Sequence, residues 1–320
     1  GSLVARHGFA RIALPGGCAI GTRPVDFHLS ALEQLGAKIE LKNGYIEASA
    51  KKLIGCEINF PGISVTGTEN IMMAAVLAKG QTILRNVAKE PEVQDLANFL
   101  NSMGAQILGA GTDEITINGV DDLAESSFTI PADRIEAGTY LIAAAVTYGD
   151  IVIQDINANR MNNILDKLKL SGALIEVNEN SISLSMSHDS IHPVDISTAP
   201  FLGFPTDMQA QFTALNVIAD GVGRITETIF ENRLMQAHEM SRMGANITVD
   251  GHSAIIRGKE TINGAPVMAS DLRASASLVI AGLAAMGETR VERIYHIDRG
   301  YERIEEKLQS IGGDIVRKTR

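Results

Sequence analysis

The chain has 320 residues, 45% of them hydrophobic and 21% charged, which is the ordinary composition of a soluble globular protein of about two domains. A net charge of −10, no Trp and only 4% aromatic residues argue against a nucleic-acid partner. No apolar run is long enough to cross a bilayer, so we predict no membrane partner. Two cysteines make no disulfide framework, which favours a reducing cytoplasm.

The first motif is a glycine-rich loop over residues 15–26, PGGCAIGTRPVD. Its glycines let the backbone approach a ligand closely, Thr22 suits an N-cap and Pro24 suits the first turn of a helix. Arg23 then stands where backbone N–H groups point outward, and this combination favours an anion site. Cys18 is either a reactive thiol of low pKa or a small buried hydrophobe, and the residues alone leave both open.

A repeat of about 68 residues organises the chain. A helix-like run ends in glycine five times, at Gly36, Gly104, Gly172, Gly244 and Gly312. Each glycine suits the left-handed residue after a helix. Alternating apolar and polar residues follow, then a turn and a second short strand, so each unit is predicted to close with a hairpin.

A second series of apolar helices is interleaved with the first and ends near Gly80, Gly149, Gly221 and Gly287. One unit is therefore helix, strand, helix, strand and hairpin strand. Helices this apolar are expected to be buried with sheets around them. We predict an α/β fold with two domains of repeated units, residues 1–131 and 132–320. An eight-fold β/α barrel is the alternative, but the hairpins argue against its all-parallel pattern.

Polar segments lead into the second series of helices, and capping is the simplest explanation for them. The predicted N-caps and first-turn acids are Thr66, Thr206, Ser270, Asp133, Asp207 and Asp271. Asp207 differs because PTDMQAQ precedes a long apolar helix and has no basic neighbour in the sequence. A carboxylate without a partner at a cleft is a candidate general base.

Four arginines at matched points of the repeat, Arg23, Arg233, Arg273 and Arg299, suggest a clamp for carboxylate and phosphate groups. Surface ion pairs would explain any one of them. His296 fits a packed or hydrogen-bonded histidine better than a metal ligand, and no cluster has zinc-like spacing. There is no phosphate-binding or dinucleotide-binding glycine motif. We therefore predict neither a metal nor a cofactor.

These motifs together closely resemble the UDP-N-acetylglucosamine 1-carboxyvinyltransferase family, the bacterial enolpyruvyl transferases. They are PGGCAIGTRPVD, EPEVQDLANFL, DRIEAGTY, FPTDMQAQ, TETIFENR, DLRASASL and YHIDRGYERIE, within residues 3–316. The resemblance implies two similar domains, inside-out α/β barrels built from such units, with the active site in the cleft between them. It also implies transfer of the enolpyruvyl group of phosphoenolpyruvate to the 3-hydroxyl of UDP-N-acetylglucosamine with release of phosphate, the first committed step of peptidoglycan synthesis.

The resemblance implies a role for each matched residue. Cys18 matches the general acid toward phosphoenolpyruvate and the thiol that the inhibitor fosfomycin alkylates, and Asp207 matches the base near the sugar hydroxyl. The phosphoenolpyruvate-binding positions are matched by Arg23, Arg299, Arg233 and Arg273. The UDP-N-acetylglucosamine-binding positions are matched by Arg23, Pro24, Val25, Asp26, His28, Ser64, Val65, Asp207, Ile229 and Phe230. Glu90 and Arg134 match interdomain positions.

Two departures from the family pattern stand out. Thr66 occupies a position where many members have glycine in the nucleotide-binding turn. Members also have an N-terminal segment of about one and a half units, with a phosphoenolpyruvate-binding lysine, that has no match in this sequence. We therefore expect the 320 residues alone to be inactive.

Two alternative functions remain open at this point. One is a truncated, non-catalytic copy that binds UDP-sugar, which ligand binding without phosphate release would identify. The other is a shikimate-pathway enolpyruvyl transferase, which the cysteine loop and the RPVD segment disfavour. The second cysteine, Cys56, lies in the apolar run LIGCEINF, and we predict that it is buried and unreactive.

Overall fold

The computed structural model describes residues 1–14, 25–186 and 191–318, where short helices and short strands alternate. The α-helices are α1 (Ser2–His7), α2 (Asp26–Gln34), α3 (Val65–Ala75), α4 (Pro91–Ser102), α5 (Arg134–Val146), α6 (Asn162–Leu170), α7 (Gln209–Val217), α8 (Met235–Arg242), α9 (Leu272–Ala284) and α10 (Ile304–Ser310). The strands are β1 (Phe9–Ala13), β2 (Lys38–Lys42), β3 (Tyr45–Ser49), β4 (Glu57–Asn59), β5 (Gln81–Arg85), β6 (Gln106–Leu108), β7 (Glu114–Asn118), β8 (Asp150–Gln154), β9 (Ala173–Val177), β10 (Ser181–Met186), β11 (Ile196–Ser197), β12 (Val222–Thr226), β13 (Asn246–Asp250), β14 (Ser253–Arg257), β15 (Pro266–Met268) and β16 (Arg290–Glu292). Short 3₁₀ helices cover Ala158–Arg160, Thr206–Met208 and Ile294–Arg299.

The predicted repeat is confirmed at the ends of the first series of helices, which we call the outer helices: α2, α4, α6, α8 and α10. The glycine after each of α2, α4, α6, α8 and α10 is left-handed, with φ between +90° and +102°. Each of the first four helices leads into an antiparallel hairpin: β2–β3, β6–β7, β9–β10 and β13–β14. In the second series of helices, the glycines Gly80, Gly221 and Gly287 also have positive φ. The predicted stop near Gly149 is confirmed, since α5 ends at Val146 and β8 begins at Asp150, but the left-handed residue there is Tyr148, at φ 52°.

The sheets are open and mostly antiparallel. Two four-stranded sheets share one plan, β4-β5-β7-β6 and β11-β12-β14-β13, in which the first pair is parallel and the others antiparallel. The remaining sheets are β1-β3-β2, β8-β10-β9 and the parallel pair β15-β16. The eight-fold barrel alternative is therefore wrong, since each hairpin returns a strand antiparallel to its neighbour. The predicted α/β fold of repeated units around buried helices is confirmed.

The described residues divide into two compact units. The second unit contains residues 132–186, 191–199 and 203–318. Its core is the trio α5, α7 and α9, which pack against one another and are buried along most of their lengths. Because α5 lies against β8 and β10, α7 against β12 and β14, and α9 against β16, the sheets surround the trio. The three buried helices thus form one core. The predicted polar residues Asp133, Asp207 and Asp271 lie at or just before the N-terminal ends of these helices.

The first unit contains residues 1–14, 25–131 and 200–202. Its central helix is α3, which packs against α1, α2 and α4 and buries Ile71 and Met72 completely. The sheet β1-β3-β2 is less well covered, because Ile12 and Leu41 are 52% and 67% exposed. None of the described helices is long and apolar enough to span a membrane.

Candidate active site

Side-chain caps start two of the three buried helices of the second unit. Asp133 accepts the N–H groups of Ile135 and Glu136 at 2.7 and 3.1 Å and so caps α5, as predicted. Asp271 does the same for α9, accepting two backbone N–H groups at 3.0 Å. Three predicted N-caps are wrong for a common reason, which is that a neighbouring residue takes the position. Pro205 precedes the 3₁₀ helix that contains Thr206, Asp271 replaces Ser270, and Ser64 replaces Thr66 at α3.

The third buried helix, α7, continues directly from the 3₁₀ helix Thr206–Met208, which carries Asp207. The expectation that Asp207 lacks a basic partner is wrong. Its Oδ1 accepts from Arg233 Nη2 at 2.6 Å, and its Oδ2 accepts from Arg273 Nε at 3.0 Å. Both arginines are distant in sequence and reach Asp207 only because α7, α9 and the loop after β12 share one core. Three predicted site residues therefore lie together.

The charge of Asp207 is governed by this contact. Burial alone would raise the pKa of Asp207, but the guanidinium groups of Arg233 and Arg273 outweigh it and hold that pKa below its ordinary value. The carboxylate is therefore ionised at neutral pH. Its side chain is still 37% exposed, whereas the arginine side chains are 7% and 10% exposed. The carboxylate is the accessible member of the cluster.

The two arginines retain hydrogen-bonding capacity beyond Asp207. Arg233 Nε and Arg273 Nη1 are buried and have no hydrogen-bond partner among the described residues. An unsatisfied buried donor costs about 1–3 kcal/mol, so this arrangement is not optimised for stability. Both atoms are shielded from solvent, and an anion would reach them only if the contacts around Asp207 rearranged. The Arg233 guanidinium also lies 5.0 Å from the centre of the Phe230 ring.

A buried polar group lies behind Arg273 and was missed by sequence reasoning. Tyr301 is 1% exposed, its ring centre is 5.3 Å from the Arg273 guanidinium, and its hydroxyl lies 2.9 Å from Thr139 Oγ1. Gln211 donates to Thr139 at 3.1 Å and to the carbonyl of Asp207 at 3.0 Å. The available signal was a glutamine and a threonine inside otherwise apolar helices, since a buried polar group must find a partner.

The other predicted residues of the second unit are placed as follows. Ile229 and Phe230 form a turn after β12, and their backbone N–H groups donate to Glu227 at 2.7 and 3.2 Å. Arg299 is exposed and ends the 3₁₀ helix Ile294–Arg299. Arg134 is the first residue of α5 and is 8% exposed.

In the first unit, predicted site residues lie near the starts of α2 and α3. Asp26 begins α2 and Val25 is its cap residue. His28 Nδ1 lies 3.1 Å from Asn70 Nδ2, and burial lowers the pKa of His28. Ser64 caps α3 by accepting from Gly67, and Val65 follows it. The structure thus brings His28 and α3 together through Asn70.

The remaining predicted residues either lie outside the described part of the chain or take no part in the Asp207 cluster. Cys18, Arg23 and Pro24 lie outside the described residues, as does Thr22. Glu90 is the cap residue of α4. His296 stacks on Tyr295 with ring centres 4.3 Å apart, as expected for a packed histidine. Among the described residues, no group of His, Cys, Asp and Glu could hold a metal ion.

Cys56 is partly exposed rather than buried, because it precedes β4 at the rim of its sheet. Its thiol lies 3.4 Å from the carbonyl of Gln34. Burial raises the pKa of Cys56, so the expected low reactivity of this thiol has a physical basis despite the exposure.

The fold belongs to a known class, the enolpyruvyl transferases. Residues 1–308 match the family model described as EPSP synthase (3-phosphoshikimate 1-carboxyvinyltransferase). The crystal structure of the enolpyruvyl transferase NikO from Streptomyces tendae superposes with a TM-score of 0.87 at 25% identity, covering 99% of this chain and 76% of that one. An EPSP synthase from Acinetobacter baumannii shares the fold at 18% identity, with a TM-score of 0.75 over 100% of this chain and 77% of that one.

Sequence relatives narrow the class. UDP-N-acetylglucosamine 1-carboxyvinyltransferases from two Coxiella burnetii strains, Dugway 5J108-111 and RSA 493, are each 58% identical to this chain over 318 residues. The match covers 99% of this chain and 73% of each relative. The chain therefore belongs to the EPSP synthase family, and within it to the UDP-N-acetylglucosamine 1-carboxyvinyltransferases.

Proposed function

We propose that this protein transfers the enolpyruvyl group of phosphoenolpyruvate to the 3-hydroxyl of UDP-N-acetylglucosamine and releases phosphate. The observation that carries the proposal is the Asp207 carboxylate bound by Arg233 and Arg273, in a chain 58% identical to enzymes named for this reaction. In a bacterial cytoplasm this step would commit UDP-N-acetylglucosamine to peptidoglycan, on which cell shape and division depend.

The chemistry requires one proton to be removed from oxygen and one to be delivered to carbon. The sugar oxygen bonds to C2 of phosphoenolpyruvate while Asp207 accepts the hydroxyl proton, and C3 gains a proton from the Cys18 thiol. The C2–O bond to phosphate then breaks and C3 returns a proton to the Cys18 thiolate, which restores the double bond. The proton taken from the sugar hydroxyl leaves with the phosphate. Positive charge develops at C2 in between, and nearby anionic groups stabilise it.

The low pKa of Asp207 fits a base that is activated by its substrate. In the structure both guanidinium groups favour the ionised carboxylate and make it a weak base. Phosphoenolpyruvate carries a carboxylate and a phosphate, which compete for the same cations. As Arg233 and Arg273 turn toward that anion, their hold on Asp207 weakens and its pKa rises, so basicity increases when the donor is bound.

Other roles follow the residue matches. Arg23 and Arg299 bind phosphoenolpyruvate together with the two arginines at Asp207. Residues 23–26, His28, Ser64, Val65, Ile229 and Phe230 bind UDP-N-acetylglucosamine. Cys18 is also the thiol that fosfomycin alkylates, so preincubation with this epoxide should block turnover in the wild type and in Cys56→Ser alike.

The proposal is tested by phosphate release. Protein to which the N-terminal segment of the family has been joined should release phosphate from phosphoenolpyruvate and UDP-N-acetylglucosamine, whereas replacing the acceptor with shikimate 3-phosphate should give none. Calorimetry with UDP-N-acetylglucosamine runs in parallel. Binding of the nucleotide sugar without phosphate release would make the protein a non-catalytic UDP-sugar binder, and release with shikimate 3-phosphate would assign it to the shikimate pathway.

A further inference from the structure

Glu227 is a carboxylate at the centre of the second unit that none of the roles above assigns. It follows β12 directly and is only 1% exposed. No ion pair to Glu227 is formed among the described residues; its partners are neutral donors. Taking a carboxylate out of water without a cation is costly, so its retention needs an explanation.

Four hydrogen bonds satisfy this carboxylate. Oε1 accepts from Thr198 Oγ1 at 3.0 Å and from the backbone N–H groups of Ile229 and Phe230 at 2.7 and 3.2 Å. Oε2 accepts from Thr206 Oγ1 at 2.7 Å. Glu227 therefore fixes the turn at residues 229–230 and the residue next to Asp207 at once.

The direction of the bond through Thr206 is determined by its partners. Arg233 Nη1 lies 2.7 Å from Thr206 Oγ1 and can only donate. A hydroxyl has a single proton, so the proton of Thr206 must point to Glu227. The same holds for Thr198, which accepts from the N–H of Thr228 at 2.8 Å and donates to Glu227. Both hydroxyls thus require an acceptor at residue 227.

A continuous series of hydrogen bonds results, running from Asp207 through Arg233 and Thr206 to Glu227 and on to the turn at residues 229–230. We propose that Glu227 is a positioning residue that orients the Arg233 guanidinium toward Asp207 and holds the 229–230 turn in register with it. The consequence of this positioning for turnover rests on the proposed function, whereas its effect on the titration of Asp207 does not. Coupling of this kind pre-organises a base and a nucleotide-sugar contact together.

The first test is Thr206→Val, which removes the connecting hydroxyl, keeps the branched shape and leaves the net charge unchanged. Arg233 then loses one of its two anchors and holds Asp207 less firmly. The titration of the Asp207 carboxyl, followed by NMR, should move to higher pH than in the wild type. This measurement needs no turnover. An Asp207 titration that stays in place or moves to lower pH overturns the proposal.

The second test is Glu227→Gln, with Glu239→Gln as the matched control. Glu239 also accepts a backbone N–H, that of Met268 at 2.8 Å, but takes no part in the series. In Glu227→Gln the amide NH₂ group would face a group that itself donates, so at least one hydrogen bond to residue 227 is lost. We therefore expect kcat for phosphate release to fall about tenfold or more. The acidic limb of the kcat profile should also move to higher pH. The control should stay within about twofold of the wild type.

The outcomes separate the two proposals. Wild-type kcat and pH profile in Glu227→Gln, or an equal loss in Glu239→Gln, overturns the positioning role. A wild-type protein that releases no phosphate, together with the shifted Asp207 titration in Thr206→Val, overturns the proposed function and leaves the positioning role supported.

Discussion

At the scale of single residues, Asp207→Asn separates chemistry from binding. The amide fills the same space but accepts no proton, so kcat should fall by about 10²–10⁴ while affinity for UDP-N-acetylglucosamine is nearly kept. The variant should also lose about 1–3 kcal/mol of stability, because two buried arginines lose their counter-charge and partial exposure limits the effect. Phosphate release, calorimetry and urea unfolding measure the three quantities.

The control for this change is Asp166→Asn, which alters a 69% exposed carboxylate paired with Lys169 on the same unit. It should leave all three measurements at wild-type values. A collapse of nucleotide-sugar affinity in Asp207→Asn along with its activity would instead make Asp207 a structural residue.

Acid should remove the stabilisation that Asp207 provides. Its pKa is lower in the folded protein than the unfolded value of about 3.9, so its contribution is complete above that pH and is lost as pH falls through the folded pKa. The stability difference between the wild type and Asp207→Asn should therefore be constant near pH 7 and shrink below about pH 4. Urea unfolding from pH 7 to pH 3 checks it, and a difference independent of pH would contradict this account.

The sequence identified Asp207 and its arginines as site residues but not as one another's partners. Arg233 and Arg273 are far from Asp207 along the chain. Ion pairs between residues so far apart in sequence depend on how the helices pack and not on adjacent residues. Glu227 was missed for a related reason. It looks like an ordinary loop acid, and only its burial against four neutral donors reveals a function.

At the scale of elements, the cap of α5 should be measurable by itself. Asp133→Ala removes the acceptor for two N–H groups and should cost about 1 kcal/mol, whereas Asp133→Asn keeps a capping oxygen and should cost much less. Chemical unfolding of both variants gives the comparison. Equal losses would mean that the charge of Asp133, rather than its hydrogen bonds, stabilises the helix.

Elements were predictable where local chemistry decides them. The Asn43-Gly44 turn shows this, because both residues have positive φ, as a tight hairpin turn requires. Cap positions were less predictable, since Ser64 and Thr66 are both good caps and only the structure shows that α3 begins after Ser64. After α5 the left-handed position is taken by Tyr148, although Gly149 follows it directly and suits that conformation better.

At the scale of the whole molecule, the two units should differ in local stability. Strand β1 lies at the edge of its sheet with Phe9 and Ile12 each 52% exposed, whereas β14 lies between two strands and buries Ala254 and Ile256 fully. Amide hydrogens in residues 9–13 should exchange faster than those in residues 253–257. Exchange read by mass spectrometry tests this, and equal protection of the two strands would contradict it.

The five glycines that end the outer helices have a consequence for chirality. At Gly36, Gly104 and Gly312 the Cβ atom of an L-residue would meet nothing within 4 Å, so these sites disfavour L-residues by backbone conformation and not by size. A mirror-image residue has the opposite preference. In semisynthetic protein, D-alanine at Gly312 should therefore raise stability by about 0.4–1 kcal/mol, since it restricts only the unfolded chain. L-alanine at the same position should lower it by about 1–2 kcal/mol. At these three turns the backbone conformation, and not the space around the residue, therefore selects the handedness of the residue.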